Sequence, residues 1–80
     1  MLFVEIVLVG LPIDRDEVEE ALEAAFSLDG EVMGAGSGMG RCHIDLEIAE
    51  GSEKAAVLDR LRALLSELGV IGCATFNVSD

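Results

Sequence analysis

Residues 41–49 read RCHIDLEIA, and apolar and polar side chains alternate along the whole stretch. The apolar positions share one side of an extended chain: Cys42, Ile44, Leu46 and Ile48. The polar positions share the other side: Arg41, His43, Asp45 and Glu47. A period of two is typical of a strand that buries one face and exposes the other. We therefore predict a half-buried strand here, in a sheet that has one face against a core.

An amphipathic helix is predicted on each side of this strand. Asp14 begins the first helix, and Glu17 follows at the spacing of a capping box. Ser52 is the predicted N-cap of the second helix, and Gly69 the residue just beyond its C-terminal cap. Apolar residues three and four apart form one face of each helix. They are Val18, Ala21, Leu22, Ala25 and Phe26 in the first helix, and Val57, Leu58, Leu61, Leu64, Leu65 and Leu68 in the second.

Three further strands complete the predicted order strand–helix–strand–strand–helix–strand. Residues 2–9 form an aliphatic run typical of a buried central strand, and residues 31–36 form a short, weak strand. Residues 70–78 form the last strand, with Ala74, Phe76 and Val78 on its core side. Right-handed crossovers then favour one α+β domain over residues 1–80, a ferredoxin-like βαββαβ sandwich. Its four antiparallel strands would lie in the order 4-1-3-2, with both helices on one face.

The stretch GAGSGMG at residues 34–40 has glycine at every second position. A dinucleotide-binding loop needs the spacing G-x-G-x-x-G before a helix, but Met39 and Arg41 occupy the third glycine's offsets and a strand follows. We therefore predict no cofactor. The pattern favours a thin edge strand and a hairpin, with Gly38 and Gly40 at positive φ. The bare face would allow a neighbouring backbone to approach, and the edge could pair with a second chain.

The sequence contains no pattern typical of a catalytic site, a metal site or a membrane-spanning segment. The two cysteines, Cys42 and Cys73, are predicted to be free thiols, with Cys42 buried and Cys73 more accessible. His43 is the single histidine, so no zinc site and no Cys/His or Ser/His/Asp constellation is readable. No apolar run of membrane-spanning length occurs. We expect a cytoplasmic protein that is not an enzyme.

Charge is the strongest functional signal, because 16 acids face five bases and the net charge is −11. Such a chain repels nucleic acid and acidic membranes and favours a basic protein partner. One acidic group lies on the first helix, where Arg15 compensates only Glu19: Asp16, Glu17, Glu19, Glu20 and Glu23. A second group lies on the open sheet face: Glu5, Asp45 and Glu47. We predict that these eight residues bind the partner.

The whole chain resembles the small acidic anti-CRISPR proteins of phages and mobile elements, of the type I kind with type I-C favoured. The resemblance covers all 80 residues and rests on length, element order and the acidic helix VEEALEAAF at residues 18–26. It implies a cytoplasmic inhibitor, monomeric or weakly dimeric, that binds the large subunit of the CRISPR surveillance complex (Cascade). Such an inhibitor would block capture of target DNA at the basic surface that reads the PAM.

Two other classes of protein fit the same pattern. An ACT-like sensing or dimerisation module shares the topology, and its ligand loop would be GLPIDRD at residues 10–16. An immunity protein would use the same acidic surface to neutralise a nuclease toxin. An RNA-recognition domain also shares the topology, but this chain lacks Trp and Tyr and carries acids on the predicted open face.

Overall fold

The computed structural model describes residues 2–49, 51 and 53–79. The strands are β1 (Leu2–Val9), β2 (Gly30–Gly38), β3 (Arg41–Ile48) and β4 (Ala74–Ser79). The helices are α1 (Arg15–Ala25) and α2 (Lys54–Glu67), and a short 3₁₀ helix (Ile71–Cys73) precedes β4. The predicted N-cap Ser52 lies outside the described residues.

The four strands form one sheet in the order β2-β3-β1-β4, and every neighbouring pair is antiparallel. This confirms the α+β class and the predicted strand order. β2 is longer than predicted, and β4 begins later. The reason for the late start is local pairing, because the N–H of Val70 donates to the carbonyl of Leu65 and that of Cys73 to the carbonyl of Val70. These donors are therefore not free to join the sheet.

The core is one hydrophobic cluster built from alternate strand residues and from both helices. Each strand of the central pair contributes four buried side chains, namely Leu2, Val4, Ile6 and Leu8 in β1 and Cys42, Ile44, Leu46 and Ile48 in β3. The helices contribute Val18, Leu22, Val57, Leu61 and Leu65, and Phe26 follows α1 directly. Ile6 lies opposite both Ile44 and Phe76, so the cluster continues across the sheet. The alternation predicted for residues 41–49 is thereby confirmed.

The predicted capping is confirmed at the C-terminal end of α2 and is wrong at the N-terminal end of α1. Gly69 follows the C-terminal cap of α2 as predicted: its N–H donates to the carbonyl of Ser66, while Val70 donates to that of Leu65. Asp14 is the N-cap of α1, but its side chain makes no capping hydrogen bond. The predicted capping box is wrong because the N–H of Glu17 donates at 3.1 Å to the main-chain carbonyl of Asp14 instead.

The β2–β3 hairpin turns through Met39 and Gly40, which have φ values of 52° and 78°. Gly38 pairs with Arg41 across the ladder, so the two residues between them occupy both central positions of a two-residue turn. Positive φ at both central positions is the signature of a type I′ turn, one of the two turn types of this length that match the strand twist. The prediction for Gly40 is confirmed and that for Gly38 is wrong, because Met39 takes the left-handed conformation in its place.

Candidate partner-binding surfaces

The outer surface of α1 presents four exposed acids, which we call the α1 acidic surface: Asp16, Glu17, Glu20 and Glu23. Asp16 and Glu20 are one helical turn apart, as are Glu20 and Glu23, so each adjacent pair repels. Within the described part of the chain, no basic side chain lies within 4.0 Å of these four carboxylates. The surface therefore carries its charge without local neutralisation.

Glu19 differs from the other predicted acids of α1. Its carboxylate lies 3.6 Å from Nε of Arg15, and its side chain is only 22% exposed. The same arginine donates through Nη1 to the hydroxyl of Ser37 at 2.8 Å and so joins α1 to β2. Glu19 is therefore part of a link between two elements, unlike the four exposed acids of the α1 acidic surface.

The predicted acids of the sheet lie together on its exposed face. Glu5 is directly opposite Asp45 in the β1–β3 ladder, and Glu31 is directly opposite Glu47 in the β2–β3 ladder. Like charges directly opposite each other destabilise a sheet. Glu5 accepts a hydrogen bond of 3.1 Å from the amide of Asn77, which is a neutral group. Glu31 completes the set and was missed from the sequence.

A bulge in β2 explains why Glu31 was missed. The ladder register shifts between Val32 and Gly34, so Met33 is an extra residue on the β2 side. A regular ladder continued from the hairpin would place Glu31 opposite Ile48, whereas the shift places it opposite Glu47. A bulge of one residue turns the side chains beyond it to the other face of the strand. The bulge therefore places Glu31 beside Glu47 on the exposed face of the sheet.

The sheet also contains a shallow apolar cleft of about 390 Å³, which we call the sheet cleft. Its walls include the residues Phe3 and Met33, which are 43% and 55% exposed. Glu5, Asp45 and Asn77 line the same cleft and supply its polar groups. The cleft thus places an aromatic ring, a thioether and two carboxylates around one space.

The glycines of β2 have a local structural role on this face. A Cβ atom at Gly36 would lie 2.8 Å from Cε1 of His43, so the absence of a side chain leaves room for the imidazole. The same Cβ at Gly34 would lie 3.8 Å from Oδ2 of Asp45. Side chains of β3, rather than a neighbouring backbone, therefore occupy the face that the glycines leave bare.

Both thiols are free, with Cys42 buried and Cys73 half-buried, as predicted. Burial raises the pKa of the Cys42 thiol above its ordinary value. Cys42 lines a second cavity, of about 330 Å³, between the β1–α1 loop and the β2–β3 hairpin. Arg15 and Arg41 line this cavity as well. A thiol with a raised pKa is a poor nucleophile at neutral pH, so the cavity carries no evident cysteine chemistry.

Asp29, which lies beyond the C-terminal end of α1, is neutralised by a residue of α2. Nη1 of Arg60 in α2 donates to its carboxylate at 2.5 Å, while Nη2 donates to the carbonyl of Ala25. The guanidinium also lies 4.3 Å from the ring centroid of Phe26. Arg60 therefore joins α2 to the C-terminal end of α1. The sequence gives no signal for this contact, because the partners are far apart along the chain.

Comparison with known proteins leaves the function to be argued from these surfaces. The chain matches no protein-family model and no curated protein. In the described ranges, no helix has the length and apolar character needed to cross a membrane. The same residues contain no group of three or more His, Cys, Asp or Glu side chains arranged to hold a metal ion.

Proposed function

We propose that this protein is a non-enzymatic inhibitor that binds a basic, nucleic-acid-binding surface of another protein. The observation that carries the proposal is the α1 acidic surface, where four exposed carboxylates have no basic neighbour among the described residues. Carboxylates in such an array attract the lysines and arginines that otherwise hold phosphates. Their mutual repulsion costs a few tenths of a kcal/mol per pair, and a cationic partner would remove that cost.

The proposed target is the large subunit of a type I CRISPR surveillance complex. The resemblance of the chain to small acidic anti-CRISPR proteins supports this choice, and the net charge of −11 suits a target that binds DNA. In this proposal the acids of α1 occupy the basic surface that would otherwise contact the PAM. The bound inhibitor then prevents capture of target DNA by simple competition.

We also infer that the fold is ferredoxin-like, with both helices on one face of the sheet. Two observations support this. The even-numbered residues of β1 and β3 share one buried cluster with residues of α1 and α2. The residues between them in β1, such as Phe3 and Glu5, are exposed. In this arrangement the acids of α1 and the acids of the sheet belong to opposite sides of the molecule.

The test compares two variants that each lose three charges. D16N/E20Q/E23Q removes one stripe of the α1 acidic surface, and E53Q/D59N/E67Q removes exposed acids at α2. Binding to a purified type I-C surveillance complex is measured by biolayer interferometry at several salt concentrations. The α1 variant should associate about ten-fold more slowly at low salt, with a weaker salt dependence, because long-range charge sets the association rate.

The α2 variant is the matched control and should bind nearly as the parent does. Equal association rates for the two variants would contradict the role of α1. Failure of the parent protein to bind the complex, or to reduce capture of target DNA when added before the DNA, would contradict the proposed target. Thermal melts of all three proteins establish that the variants are folded, and the α1 variant should be at least as stable as the parent.

A second candidate function, an ACT-like small-molecule sensor, is favoured by one observation. The cavity of about 330 Å³ lies beside the loop that follows β1, and two arginines line it. Guanidinium groups suit a ligand that carries a carboxylate. Thermal shift measurements with a panel of amino acids separate the candidates, because a sensor would be stabilised by one of them whereas an inhibitor would not.

A further inference from the structure

The sheet cleft lies on a different part of the molecule from the α1 acidic surface. Its lining comes from β1, β2, β3 and β4, and α1 contributes no residue to it. Phe3 and Met33 line it and leave large apolar surfaces exposed. Aromatic residues and methionine are enriched at protein interfaces relative to the rest of the protein surface. The cleft is therefore a candidate docking site for an apolar part of another molecule.

The charges around the sheet cleft specify the occupant. Glu5 and Asp45 are directly opposite each other in the ladder and both line the cleft. Asn77 donates a hydrogen bond to Glu5 but brings no positive charge, and Nε2 of His43 lies 3.9 Å from Oδ2 of Asp45. A planar guanidinium can bond two carboxylate groups at once, and its flat face packs well on an aromatic ring. Arginine is the side chain that matches both features.

A second copy of this chain and a nucleic acid both fit the cleft poorly. The exposed sheet face carries four acids and one arginine, Arg41, so two such faces repel each other: the acids are Glu5, Glu31, Asp45 and Glu47. The same charge repels phosphates. A lysine satisfies the charge but lacks the planar fork and the stacking surface of a guanidinium.

We propose that the sheet cleft is a docking site for a single arginine side chain of a basic protein partner. This rests on the proposed function only in taking the partner to be a basic protein. The guanidinium packs on the ring of Phe3 and faces Glu5 and Asp45, while the arginine stem contacts Met33. The contact adds short-range selectivity to the charge attraction that α1 supplies, and it gives the inhibitor two separated contacts.

The test uses the free protein and the blocked peptide Gly-Ser-Gly-Arg-Gly-Ser-Gly, with matched peptides that carry lysine or citrulline instead. Citrulline has nearly the shape of arginine without its charge. Backbone amide shifts are followed by ¹H–¹⁵N NMR during titration. The arginine peptide should shift residues 3–5, 45–46 and 77–79 and leave residues 16–23 in place. The lysine peptide should bind at least three-fold more weakly, and the citrulline peptide should give no saturable shift.

Two variants with equal charge loss complete the test. E5Q/D45N should weaken binding of the arginine peptide at least five-fold, while E20Q/E23Q on α1 should change it less than two-fold. The amide spectra themselves report whether each variant is folded. Shifts spread evenly over the acids of the chain, equal binding of the arginine and lysine peptides, or equal effects of the two variants would overturn the proposal.

Self-association provides a further outcome that would overturn the proposal. If sedimentation shows a dimer, and dilution shifts the same cleft residues without any peptide, then the cleft belongs to a second copy of the chain. Failure here is distinguishable from failure of the proposed function, because the peptide titration contains no surveillance complex and the α1 variants are judged on that complex alone.

Discussion

Replacement of Arg60 by methionine should destabilise the protein by about 1.5–2 kcal/mol, because one side chain makes three contacts between α2 and the end of α1. The cation over the ring of Phe26 contributes about 0.5–1 kcal/mol at a partly exposed site. The bond to the carbonyl of Ala25 places positive charge at a helix C-terminus and contributes about 0.3–1 kcal/mol. Arg60 and Asp29 are 44% and 35% exposed, so we assign their ion pair only about 0.5 kcal/mol.

The assay is thermal and urea unfolding of the parent, R60M and the control R62M. Arg62 also pairs with an acid, but its contact with Asp59 is 4.0 Å long and both side chains are more than half exposed. R62M should cost below about 0.5 kcal/mol. R60M should lower the Tm by roughly 6–16 °C, given about 4–8 °C per kcal/mol in a domain of this size. Equal melting temperatures for R60M and R62M would refute the reasoning, and the added variant D29N isolates the ion pair through a double-mutant cycle.

Two further predictions follow from the hairpin and the thiols. Met39→Asn should stabilise the protein by about 1 kcal/mol, because asparagine tolerates positive φ better than methionine; urea titration should show a higher midpoint at an unchanged slope. Iodoacetamide at pH 8 should modify Cys73 well before Cys42, because burial raises the pKa of Cys42, and equal labelling rates would contradict this. Because the pKa of Cys42 is higher in the folded protein, the neutral buried thiol contributes its full free energy of stabilisation below pH 9.0, and this contribution is lost as the pH rises through the folded pKa. Between pH 8 and 10.5 the free energy of unfolding of the parent should therefore fall by more than that of Cys42→Ala.

The element types and most element limits could be predicted because their signals are local, whereas the strand order follows from the right-handed crossover rule. Alternation along residues 41–49 has one explanation, a strand with one buried face, and the strand was found there. Gly69 likewise acts within its own turn, where nearby carbonyls accept its bonds. Met39 was missed because the turn is defined by which residues pair across the ladder, and glycine content alone does not reveal that register. The bulge at Met33 was missed for the same reason.

The candidate surfaces could be predicted in part, for related reasons. The spacing of Arg15 and Glu19 along one helix was enough to predict their ion pair, which the structure contains. The contacts of Arg60 could not be predicted, because its partners Asp29 and Phe26 belong to another helix unit. A charge count treats each of these residues as a free surface group. Three-dimensional packing decides which acids are neutralised and which stay exposed without a basic neighbour.

The distribution of bases sharpens the contrast between the two proposed contacts. Among the residues that the structure describes, Arg15, Arg60 and Arg62 lie within 4.0 Å of acids of this same chain. These internal pairs leave the α1 acidic surface as an exposed array, whose effect extends over roughly a Debye length of 8–10 Å. As proposed, such an array would set the association rate of a basic partner. The sheet cleft would act only at contact distance, through carboxylates that bind an arginine packed on Phe3. If both proposals hold, substitutions in α1 should change mainly association rates, and substitutions in the cleft should change mainly dissociation rates.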